Sequence, residues 1–102
     1  MKEWTSAEWE TNSQSATITA YYLYAPMCGT CQVASKMMEV VEELLPNVKI
    51  GQANLNYVEQ IAVSQKIESV PCLLISENGQ VREKIYAFQS VPYIYGRLRK
   101  NI

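Results

Sequence analysis

Thr17-Ile18-Thr19-Ala20-Tyr21-Tyr22-Leu23-Tyr24, then Ala25-Pro26-Met27, then Cys28-Gly29-Thr30-Cys31, is the stretch on which the reading of this chain turns. Its first eight residues are rich in β-branched and aromatic side chains and read as a strand, which Pro26-Met27 ends. From Cys28 to Leu45 the pattern becomes helical. Val33, Met37, Val40, Val41 and Leu44 form the expected buried face, opposite a stripe of Gln32, Ser35, Lys36, Glu39, Glu42 and Glu43. A C-x-x-C pair at this strand-to-helix junction has its sulfurs within disulfide reach. It also sets Cys28 at the helix N-terminus, where unpaired N–H groups and the macrodipole stabilise a thiolate. A thiolate that attacks a disulfide, with a second thiol three residues on to displace the product, is a two-electron redox site.

Working outward, Thr5-Ser6-Ala7-Glu8 has the form of a capping box and starts a short first helix, and Asn12 to Ser15 is a polar break. Downstream, Pro46-Asn47 closes the long helix and Val48 to Leu55 reads as a second strand. Asn56 caps a helix from about Tyr57 to Gln65, and Val70 to Ser76 is a short apolar strand. Glu77-Asn78-Gly79-Gln80 is the strongest hairpin signal, with Val81 to Tyr86 as the return strand. Ser90 caps a last helix with Pro92 in its first turn and Val91, Ile94, Leu98 and Ile102 on one face. The order is α-β-α-β-α-β-β-α. Strand, helix, strand implies a right-handed parallel unit, and the hairpin adds an antiparallel pair. Cys72-Leu73-Leu74-Ile75 is apolar without alternation, so helices are expected on both faces of the sheet. Residues 1–102 read as one α/β domain, without repeat or linker.

Composition narrows the chemistry. A net charge of −1 and no basic stripe exclude a nucleic-acid role; Arg97, Arg99 and Lys100 read as a favourable last helical turn. There is no His, which removes the commonest general base and metal ligand, and no Asp, so any catalytic carboxylate is a Glu. The polar, acidic Met1 to Ala16 does not read as a signal peptide, and no apolar run is long enough to span a bilayer. The expected location is the reducing cytoplasm, where C-x-x-C is catalytic or metal-binding rather than a structural staple. Three cysteines without His fall short of a tetrahedral zinc set, so no metal is expected. Cys72 reads either as a small buried hydrophobe or as a third redox thiol.

With C-x-x-C after the first core strand, Val70-Pro71 opening a later one and Asn78-Gly79 at the next hairpin, the chain resembles the thioredoxin family over nearly its whole length. The resemblance implies a thioredoxin fold: a central four-stranded mixed sheet flanked by helices, with an N-terminal helix. It implies Cys28 as nucleophile, Cys31 as buried resolving thiol, and a cis Pro71 beside them. Val70 would offer its backbone to an extended substrate segment, and Met27, Gly29 and Thr30 would complete the substrate contact. It implies thiol–disulfide oxidoreductase activity on protein disulfides as a monomer, with no bound cofactor beyond the Cys28–Cys31 disulfide. Electrons would come from a thioredoxin-reductase-type donor; neither nucleic acid nor membrane is a partner.

The chain also departs from the family pattern. Tyr22 stands where thioredoxins carry a buried Asp, six residues before the first Cys. Asn54 stands in place of a Lys, Met27 in place of a Trp, Thr30 in place of a Pro, and Lys36 in place of the proline that kinks the active-site helix. Tyr22, near Cys31, and Cys72, after Pro71, are therefore candidate modulators. Two alternatives stay open at this point: a disulfide isomerase or oxidant, and a redox-sensing binding module with little turnover.

Overall fold

The computed structural model describes residues 1–99. Ile102 of the expected last-helix face and Lys100 of the expected basic turn lie outside the described residues. The elements in chain order are β1 (Lys2–Glu3), α1 (Ser6–Ser15), β2 (Ile18–Tyr24), α2 (Gly29–Leu44), β3 (Lys49–Asn54), a 3-10 turn (Leu55–Tyr57), α3 (Glu59–Ser64), β4 (Cys72–Glu77), β5 (Gln80–Ile85) and α4 (Val91–Leu98). The sheet order is β1-β3-β2-β4-β5; β2 runs parallel to β3 and antiparallel to β4.

Among the described residues the sheet thus has five strands rather than the expected four. The addition is β1, paired in parallel with β3 through Lys2↔Gly51 and Glu3↔Gln52. Two polar residues carry no hydrophobic signal, so this strand is invisible to periodicity. What holds it follows it: the Trp4 N–H donates to the Gln52 carbonyl at 2.9 Å. The Trp4 indole lies flat over Gly51, where a Cβ would overlap the ring.

Side chains alternate across the strands and divide the core between two faces. Tyr22, Leu73 and Ile75 meet Met38 and Val41 of α2 and Ile94 and Leu98 of α4. Tyr21, Leu23, Cys72 and Leu74 meet Trp9 of α1 and Ile61 of α3. Trp9 stacks on Tyr21 with ring centroids 4.9 Å apart. The central strands β2 and β4 are therefore buried on both sides, which explains their unbroken apolar runs.

The local signals act as their chemistry requires. Thr5 Oγ1 accepts the Glu8 N–H at 3.1 Å while Thr5 N–H donates to Glu8 Oε1 at 2.9 Å, a complete capping box. Asn78 and Gly79 both have positive φ (54° and 88°), the pair a two-residue hairpin turn needs. Ser90 Oγ accepts from Tyr93 N–H at 3.2 Å and starts α4. Asn54, not Asn56, makes the cap after β3: its Oδ1 accepts the Asn56 N–H at 2.9 Å, and α3 begins only at Glu59.

The buried face of α2 differs from the expected one. Cys31, Ala34, Met38 and Val41 face the sheet, followed by Leu45, whereas Val33, Val40 and Leu44 are 58%, 45% and 52% exposed. The apolar arc of α2 is wider than the strip the sheet covers. The small Cys31 and Ala34 let the helix approach closely, so the sheet takes the edge of the arc that holds them and leaves three larger residues outside.

Candidate redox site

β2 delivers the chain to the C-terminal edge of the sheet, and Ala25–Met27 turn it into α2. Met27 takes a left-handed φ of 61° and is fully exposed. Few non-glycine residues adopt that conformation, and here it reverses the chain so that Cys28 becomes the N-cap of α2. Cys28 and Cys31 are joined in a disulfide, with Cα atoms 5.2 Å apart. Cys28 Sγ accepts the Cys31 N–H at 3.2 Å, so this sulfur occupies the place of a capping oxygen and satisfies one of the helix's open donors. The Thr30 hydroxyl lies 3.5 Å from the same sulfur. The sulfurs differ in access: Cys28 is half-buried and Cys31 only 3% exposed.

The Val70–Pro71 peptide bond is cis. Pro71 lines a groove of about 370 Å³ together with Thr30, Val33 and Met37 of α2 and Tyr86 and Phe88 of the β5–α4 loop. A Cβ added to Gly29 would meet no atom within 4 Å, so the surface beside Cys28 is open. Val33, Tyr86 and Phe88 are groove residues that the sequence does not reveal. Periodicity assigns Val33 to the core and Tyr86 to the return strand, which ends one residue earlier at Ile85, and Phe88 sits in the loop beyond it.

Beneath the disulfide Tyr22 is fully buried. Its hydroxyl donates to the Cys31 carbonyl at 2.7 Å and receives the Ser35 hydroxyl at 3.0 Å. Burial pushes this phenol above its ordinary range, and the Ser35 hydrogen bond pulls the other way. The phenol is thus neutral, and it fastens the first turn of α2 to the sheet. Ser35 is the residue that sequence reasoning missed; it lies one helical turn beyond Cys31, and that spacing was the available signal.

Cys72 is fully buried as a free thiol. It belongs to the core cluster with Trp9, Tyr21 and Leu74, across the sheet from the one α2 packs on. Burial pushes its thiol up to about 11 from an ordinary 9.0, with Lys84 and Tyr86 opposing. Among the described residues no group of three or more His, Cys, Asp or Glu is placed to hold a metal ion. Among those residues, too, no helix is long and apolar enough to cross a membrane.

Comparison with known proteins places this geometry. The thioredoxin family model matches residues 1–94. The thioredoxin-like protein YusE of Bacillus subtilis is 51% identical over 80 residues, covering 78% of this chain and 76% of that protein. Haemophilus influenzae thioredoxin is 32% identical over 59 residues, 57% of this chain and 55% of its own. Among solved structures, a Plasmodium falciparum thioredoxin superposes with a TM-score of 0.88 at 14% identity, covering 100% of both chains. A Halobacterium salinarum thioredoxin mutant does so at 0.86 and 16% identity, over 97% of this chain and 89% of its own.

Proposed function

This chain belongs to the thioredoxin family, whose chemistry is thiol–disulfide exchange, and we propose that it reduces protein disulfides through a Cys28/Cys31 dithiol–disulfide cycle. In the reduced protein the Cys28 thiolate attacks one sulfur of a substrate disulfide. That S–S bond breaks, a Cys28–substrate mixed disulfide forms, and the substrate's other sulfur leaves as a thiolate. Cys31 then attacks Cys28 Sγ, releases the second substrate thiol and closes the Cys28–Cys31 disulfide. Two electrons pass to the substrate, and a thioredoxin-reductase-type dithiol donor returns them. A cytoplasmic site of action fits this direction, because a reducing pool keeps the donor supplied.

The observation that carries this reading is the asymmetry of the pair. Cys28 is accessible and sits at the helix N-terminus with the Cys31 amide on its sulfur, while Cys31 is buried behind it. Met27, Gly29 and Thr30 form the surface around the nucleophile. An extended substrate segment lies along Val70–Pro71 as an added strand, with an apolar side chain in the groove.

A second reading is a redox-sensing module with slow turnover, and Tyr22 favours it. A buried neutral phenol bonded to a carbonyl is a poor base for the resolving thiol. A turnover assay separates the two: reduction of insulin-type disulfides with dithiothreitol as donor. The proposed reductase accelerates the reaction catalytically over many cycles. A single stoichiometric exchange followed by arrest selects the sensor instead.

A further inference from the structure

At the end of the sheet away from the disulfide, α1, α3 and the β4–β5 hairpin enclose a pocket of about 460 Å³. Ser76 of β4 pairs with Thr19 at the start of β2, whereas Cys28 lies beyond Tyr24 at its end. At about 3.3 Å per residue, roughly 15–20 Å of strand separates the two sites. Nothing in the redox cycle uses this pocket.

Its wall contains a hydroxyl that packing does not explain. Ser76 is 1% exposed, its Oγ has no hydrogen-bond partner among the described residues, and it lines the pocket. It continues Leu74's side of β4, where an apolar residue would pack without penalty. A buried hydroxyl left unpaired costs on the order of 1–3 kcal/mol. The other polar lining groups include Ser64, Gln14, Gln65 and Gln80, which carry donors as well as acceptors. Ser13, 6% exposed, spends its hydrogen on the Glu10 carbonyl at 3.0 Å and presents lone pairs. Among the described residues Glu10 is the only charged member of the lining, which includes no Lys or Arg. Lys84 touches the Gln65 carbonyl at 2.8 Å without entering the lining. Trp9 and Ile61 supply an apolar wall.

We infer that this pocket is a second binding site, for a small amine-bearing molecule whose protonated nitrogen meets Glu10 and whose polar atoms satisfy Ser76 Oγ. A cation is matched by the single carboxylate, and a short aliphatic chain by Trp9 and Ile61. An anion would meet the Glu10 carboxylate with no cation in the lining to offset it.

The test is an NMR titration of the oxidised protein with 1,4-diaminobutane and, separately, with 1,4-butanediol of similar length. The site predicts saturable shifts at the Trp9 indole N–H and the Ser76 and Gln65 amides with the diamine, while the Cys28 and Thr30 amides stay still. The diol binds about tenfold more weakly, the loss of one charge-assisted bond. Glu10→Gln removes the preference for the diamine, and Ser76→Ala weakens binding by about two- to tenfold. The inference is overturned if the diamine gives no saturable shift at these reporters, as for a pocket that holds only water. It is overturned equally if shifts spread over the acidic face of α2, or if Glu10→Gln binds both probes as before. Because Glu10 and Ser76 lie outside the redox site, disulfide reduction by both variants stays at the level of the unmodified protein whichever result is obtained.

Discussion

Tyr22 joins fold and site through a single hydroxyl. It donates to the Cys31 carbonyl and receives Ser35, so it is satisfied twice inside the core. Tyr22→Phe leaves that carbonyl and the Ser35 hydroxyl without their buried partner. The expected cost is about 1–3 kcal/mol in urea unfolding, with a smaller loss of about 0.5–1.5 kcal/mol for Ser35→Ala. A Tyr22→Phe protein as stable as the parent would show that the bond contributes nothing. Cys72 makes a pH prediction. Its thiol is raised to about 11 in the folded protein from 9.0. The unfolded chain therefore loses this proton first as pH rises. The stabilisation is complete below about pH 9 and disappears as pH climbs towards 11. Unfolding midpoints measured from pH 8 to 10.5 should fall more steeply for the parent than for Cys72→Ala; parallel curves would contradict this. The family resemblance puts Tyr22 at a position normally held by an acid. It does not reveal that the phenol bonds to backbone rather than sulfur, because that depends on the height of α2 above the sheet.

The element that carries the chemistry, α2, is legible in the sequence as a helix but not as a surface. Periodicity reports which residues are apolar, whereas burial depends on where the sheet lies. The wide apolar arc of α2 allows two placements, and the small Cys31 and Ala34 decide between them. The exposed Val40 and Leu44 should tolerate change: Val40→Lys or Leu44→Lys shifts stability by no more than about 0.5 kcal/mol. Met38→Ala, at a fully buried position, costs about 2–5 kcal/mol. Chemical denaturation of the three variants compares the two faces directly, and equal losses would favour the placement that periodicity alone suggests. The hairpin and the helix caps are readable because each rests on local chemistry: left-handed φ at Asn78-Gly79, and hydroxyls at Thr5 and Ser90. The start of α3 is not, because no side chain caps it: Asn54 caps the 3-10 turn that comes first, and the helix begins only at Glu59.

At the scale of the whole molecule, element order reveals the α/β architecture, and the two-sided burial of β4 follows from its unbroken apolar run. The edge strand β1 escapes such reading because its pairing depends on a distant residue. Gly51 must be bare for Trp4 to lie across it. Gly51→Ala therefore displaces the indole and loosens β1, at an expected cost of about 1–3 kcal/mol. Loss of amide protection at Trp4, whose N–H is bonded to Gln52, is the local readout. Unchanged protection would mean the strand is held by other contacts. The same frame sets the roles of the two cysteines: β2 and the Met27 turn bring Cys28 to the surface, and the sheet buries Cys31 beneath it. The most direct measurement of that assignment is mass spectrometry of mixed disulfides formed with an insulin-type substrate by Cys31→Ser and Cys28→Ser proteins. The account predicts a stable adduct on Cys28 in the first and neither adduct nor turnover in the second. An adduct on Cys31 forming as fast in Cys28→Ser, or turnover that survives loss of Cys28, would contradict it.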